Sequence, residues 1–156
     1  MLRRSGSNRP PFCTFTAAPN SPYADLALAS PSLDDPARNV AEPNKLTIQW
    51  LASTFLQAGR EPADLLDPKD PRYSPVYRDL SGLPPLLVQT AGLDNLQHDG
   101  IRLAAQARSC GVQVTYTDYP ESAHIWIVLQ PADEDPQAAL AMAEMREFIA
   151  RNIRTE

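Results

Sequence analysis

Cysteine is scarce. Cys13 and Cys110 are the only two in 156 residues, too few for a disulfide framework. Cys110 falls near the end of a helical stretch, a setting that suits packing better than reactivity. No apolar run approaches the roughly 20 residues of a membrane helix. No Lys/Arg cluster relieves the net charge of −5, which argues against a nucleic-acid partner. Asp64, Asp67 and Asp70 lack the glycine and terminal glutamate of a calcium loop, so a solvated loop is expected there and no metal. Internal repeats and low-complexity tracts are missing too. What remains is a globular composition, 43% hydrophobic and 21% charged, on a chain long enough for one domain with a core. A cytoplasmic protein without membrane contact or cofactor is the expectation.

The most ordered pattern runs from Pro84 to Trp126. Leu86, Leu87 and Val88 are a short apolar run of the kind that forms a strand buried on both faces. A polar loop follows over 91–95. Leu96, Gly100, Leu103, Ala104 and Ala107 then repeat at helical spacing, and Gly111 stands where a C-cap glycine belongs. Val112, Val114 and Tyr116 alternate with polar residues, which predicts a second strand. Strand, helix and strand in that order make a βαβ unit with parallel strands.

Elsewhere the chain is punctuated by proline, 16 residues in all. Residues 1–20 carry Arg3, Arg4 and Arg9 and no acid, and read as a disordered tail. A helix is predicted from Asn44 to Gly59, with Ile48, Leu51, Ala52 and Phe55 on one apolar face. Residues 60–83 read as a connector. A last helix begins at Pro136 with Asp135 as its N-cap, and Ala141, Met145, Phe148, Ile149 and Ile153 line its inner face.

Parallel strands bring their C-terminal loops to one edge of the sheet, where open α/β sheets do their chemistry. Asp94 follows the first strand and His124 the second. A carboxylate and an imidazole there can hydrogen-bond, the acid fixing the tautomer of the base. The alternative is a loop-capping aspartate and an unrelated surface histidine.

Asp94, Leu96, Asp99 and Gly100 fit a D-x-L-x-x-[DE]-G pattern. Pro120, Glu121, His124, Ile125 and Trp126 fit a pattern close to PG-x-x-H-[GV]-[FW]. Ser21, Pro22, Tyr23 and Asp25 are close to SPW-x-D. On these residues the chain resembles the C-terminal part of the hormone-sensitive-lipase-like carboxylesterases, from about Ser21 to Ile153. The resemblance implies a partial α/β-hydrolase fold: C-terminal parallel strands with flanking helices, plus a cap-like helix over about 42–59. It also implies that residues 21–156 are a portion of one such domain. Asp94 would be the acid and His124 the base of a Ser-His-Asp triad acting on small-molecule esters. Trp50 and Phe55 would line an acyl pocket or simply pack their helix. His98 would face solvent.

Two features depart from the pattern. No G-x-S-x-G elbow or HGGG-type motif occurs before Asp94, so the nucleophile and the oxyanion donors are missing. Three readings follow: an ester hydrolase with only acid and base retained, an inactive remnant or interaction module, or half of a split esterase. The last would need a complementing chain, and the exposed edge of Leu86–Thr90 would serve it or a self-association. Glu121 stands where glycine is usual, so the loop there is expected to be shifted or strained.

Overall fold

All six residues of strand β1, Leu86–Ala91, are buried. The computed structural model describes residues 16–38, 42–61 and 64–153. Within them helix α1 spans Lys45–Gln57, α2 Gln97–Ser109, strand β2 Val114–Tyr119, α3 Trp126–Leu129 and α4 Pro136–Asn152. β1 and β2 pair in parallel, from Leu86 opposite Val114 to Ala91 opposite Tyr119. The βαβ unit expected from the sequence is therefore present, with α2 as its crossover.

Burial on both faces explains why β1 reads as an unbroken apolar run. On one face Leu86 and Val88 pack with Leu103, Ala104 and Ala107 of α2. On the other, Ala91 and Tyr119 pack with Ala138 and Ala141 of α4. Leu87 and Val88 are fully buried, and such side chains each contribute roughly 1.5–3 kcal/mol. Gly100 lets α2 approach the sheet, since a Cβ there would stand 2.3 Å from Thr90 Cγ2. α2 ends as its glycine predicts: Gly111 has φ +78°. The Gly111 N–H donates to Arg108 O and that of Val112 to Ala107 O, the two bonds of a Schellman motif. Cys110 is half-buried, and its sulfur accepts the Leu80 N–H.

Helix starts follow their caps. The Asn44 side chain accepts the Thr47 N–H, and Asp135 accepts the Gln137 N–H with Pro136 at the first position of α4. The apolar face predicted for α1 is narrower than expected. Ile48 and Ala52 are buried, whereas Leu51 and Phe55 are each more than two-fifths exposed. Ile48 docks on Leu33 and Leu96, beside the loop that carries Asp94.

Two expectations are corrected at the other edge of β1. Residues 16–20, placed in a disordered tail by the sequence, run parallel to β1 through bridges Ala17–Leu86 and Asn20–Gln89. The N–H groups of Leu87 and Gln89 donate to Ala17 and Pro19, and those of Ala17 and Ser21 donate back to Pro85 and Gln89. This segment carries no strand signal in the sequence because TAAPN is small, short and broken by a proline. The edge of β1 is consequently paired rather than exposed. The remainder of that stretch, residues 1–15, lies outside the described residues.

Candidate active site

Asp94 and His124 meet at the carboxyl edge of the sheet. After β1 the chain turns with the Asp94 N–H donating to Ala91 O. The carboxylate is buried; Oδ1 accepts the Leu96 N–H at 2.8 Å and Oδ2 lies 2.9 Å from His124 Nδ1. Arg38 donates to the Asp94 carbonyl and to Gln97 Oε1. With Asp94 ionised, the imidazole donates its Nδ1 proton and keeps Nε2 as the basic nitrogen. The His124 side chain is one-fifth exposed and the Asp94 side chain not at all.

The two loops are bolted together. Gly92 N–H donates to Tyr119 O at 2.8 Å and Leu93 N–H to Ser122 O at 3.0 Å. Glu121 is not strained: its φ is not positive, and the left-handed residue of this loop is Ile125, φ +47°. Trp126, Ile127, Val128 and Leu129 then form the one-turn α3, too short to show as a period in the sequence.

Behind the pair lies a second polar layer, whose Asp25 and Asp99 the family patterns name but whose contacts the sequence does not show. Asn95, buried, donates to the carbonyls of Arg38 and Pro43, tying both residues to the Asp94 loop. Asp99 accepts the N–H groups of Ala24 and Asp25 and the Ser30 hydroxyl. Burial pushes the Asp99 pKa up against these bonds. Asp25 accepts the N–H groups of Ala27 and Ala29 and pairs with Arg102. Burial opposes its charge, but Arg102 and the two amides prevail and its pKa falls below the ordinary value. The sequence shows Asp25 and Asp99 as motif positions but not these contacts, because Ala24 lies 75 residues from Asp99 and Arg102 lies 77 from Asp25.

Other candidates are not brought here. His98 is half-buried rather than solvent-facing, and burial plus the nearby Arg38 charge lowers its pKa. Trp50 is 63% exposed and Phe55 stacks edge-on against Tyr73, ring centroids 5.3 Å apart. Neither lines the small cavity bounded by His124, Asp94, Arg38, Glu42 and Leu93. That cavity holds about 10 Å³, room for about one water molecule. Among the described residues no group of three His, Cys, Asp or Glu is placed to bind a metal ion, and no helix is long and apolar enough to cross a membrane.

A buried carboxylate on an imidazole, at the carboxyl edge of a parallel sheet, is the arrangement in which a carboxylate can orient a histidine for proton transfer. The alpha/beta hydrolase fold family matches residues 6–128, and the chain belongs to that family. The match begins ahead of Ser21, within the stretch first read as a tail. The chain is 32% identical over 128 residues to an acetyl-hydrolase of Streptomyces hygroscopicus, covering 79% of this chain and 39% of that one. It is 35% identical over 131 residues to an esterase of Acinetobacter venetianus, covering 82% and 40%. A solved hormone-sensitive lipase from a metagenome library matches with a TM-score of 0.77 at 26% identity, over 88% of this chain and 44% of that one. The chain thus spans about two fifths of the length of the curated relatives it matches.

Proposed function

We propose that this chain carries the acid and base of a serine carboxylesterase acting on small-molecule esters. His124 takes the proton from the serine hydroxyl through Nε2 and later returns it to the leaving alcohol. Asp94 holds the imidazole by Nδ1 and stabilises the imidazolium. The observation that carries the proposal is the 2.9 Å contact between buried Asp94 Oδ2 and His124 Nδ1.

The 156 residues contain no G-x-S-x-G sequence. On this proposal the nucleophile and the oxyanion donors come from polypeptide outside them, and those donors usually supply the largest single contribution to such catalysis. The cavity beside His124 is one wall of a substrate site that this second part completes. The expected portion 21–156, extended by the paired segment 16–20, is proposed as one part of the hydrolase domain, with α1 as part of its cap.

Fluorophosphonate labelling tests this. The chain alone stays unlabelled, having no elbow serine. With an elbow-bearing segment of a relative added, the serine of that segment becomes labelled, and His124→Ala abolishes the labelling. Labelling of the chain alone would mean that one of its own serines is activated. Silence under both conditions would favour a non-catalytic role.

A further inference from the structure

Two residues without glycine's freedom adopt left-handed backbone in this site: Ser21, φ +45°, and Ile125, φ +47°. They are 104 positions apart and joined by one hydrogen bond, the Ile125 N–H donating to Ser21 Oγ at 3.2 Å. Ile125 directly follows His124. A β-branched side chain disfavours this conformation strongly, so something outside Ile125 must hold it.

We infer that Ser21 is a positioning residue for His124, its hydroxyl holding the left-handed turn at Ile125 that keeps the imidazole on Asp94. The inference rests on the acid–base reading of that pair. Ser21 is suited to the task because it is itself fixed on both sides. Its N–H donates to Gln89 O in the sheet at 3.0 Å. Three and four residues on, the N–H groups of Ala24 and Asp25 donate to Asp99 of α2 at 2.8 and 2.9 Å. The hydroxyl is 5% exposed as part of its residue, so water does not readily replace it as acceptor. On the far side of the turn, the N–H groups of Val128 and Leu129 donate to Ile125 O. α3 thus carries the geometry of the turn away from His124, and Ser21 sets it. Such strain at an active site persists only where its surroundings over-determine it.

Ser21→Gly removes the hydroxyl while glycine keeps the left-handed backbone at position 21 without steric cost. The readout is the tautomer of His124, from ring nitrogen-15 shifts in the 156-residue chain, together with hydrogen exchange at the Ile125 amide. In the parent chain the Nδ1-protonated tautomer dominates. In Ser21→Gly its ratio to the other tautomer falls, and Ile125 exchange accelerates by about fivefold to tenfold, the equivalent of one neutral hydrogen bond. An unchanged tautomer ratio and unchanged exchange overturn the inference. Asp94→Asn separates the two levels of the argument: if it too leaves the tautomer unchanged, the acid–base pair itself is wrong. If Asp94→Asn shifts the tautomer and Ser21→Gly does not, Ser21 alone is wrong. Should Ser21→Gly fail to fold, the parent chain decides. Ile125 exchange as slow as that of the β1 amides supports the inference, and unprotected exchange overturns it.

Discussion

A Cβ atom on Gly92 would lie 2.3 Å from the carbonyl oxygen of Pro120. Gly92 needs its glycine for space rather than for a positive φ, since the loops that carry Asp94 and His124 touch there backbone to backbone. Gly92→Ala must push them apart. The expected result is a stability loss of about 1–3 kcal/mol in denaturant unfolding, the usual cost of overpacking, together with loss of the Nδ1-protonated His124 tautomer. A variant with parent stability and tautomer would show that the contact is slack.

The pairing of Asp25 with Arg102 makes stability depend on pH. The folded pKa of Asp25 lies below the ordinary 3.8, so the native state binds fewer protons than the unfolded state in that window. This stabilisation is fully present above 3.8 and is lost as pH falls through the folded value. Asp99, with a raised pKa, works the other way, its stability being present at low pH and lost as pH rises through its folded value. Asp25→Asn should therefore flatten the acid-side fall of thermal stability. Arg102→Ala, which leaves a buried carboxylate held only by amides, should cost about 3 kcal/mol at neutral pH. An acid limb unchanged in Asp25→Asn would refute this assignment.

α1 is held by few side chains. Ile48 is fully buried whereas Trp50 is 63% exposed. Ile48→Ala should destabilise by about 2–4 kcal/mol through transfer and cavity terms. Trp50→Ala should stay within about 0.5 kcal/mol. If Trp50→Ala proves the costlier of the two in chemical denaturation, the helix packs in another register.

Legibility followed the range of the interactions. β1, α2 and β2 were readable because apolar runs, helical spacing and a C-cap glycine are local signals. Asp94 and His124 were readable because a βαβ unit puts both loops on one edge and because their neighbours match a family pattern. The pairing of residues 16–20 with β1 was not readable: Ala17 and Pro19 contribute carbonyls rather than side chains. Ser21 was visible as the first residue of an SPW-x-D-like motif, but its link to Ile125 was not, since that partner is the amide of a residue 104 positions away. The shifted or strained loop expected at Glu121 came from the glycine usual at that place in the family pattern, and the left-handed residue lies four positions later, at Ile125.

The central claim is that Asp94 and His124 serve a serine nucleophile as acid and base. The most direct measurement is ester hydrolysis by a chimera in which this chain replaces the matching two fifths of the Acinetobacter venetianus esterase. With a short-chain p-nitrophenyl ester, the chimera should turn over and form an acyl-enzyme. His124→Ala should then lower kcat by about 10⁶-fold and Asp94→Asn by about 10⁴-fold, as for other members of a triad. A chimera that keeps its turnover in His124→Ala would contradict the account.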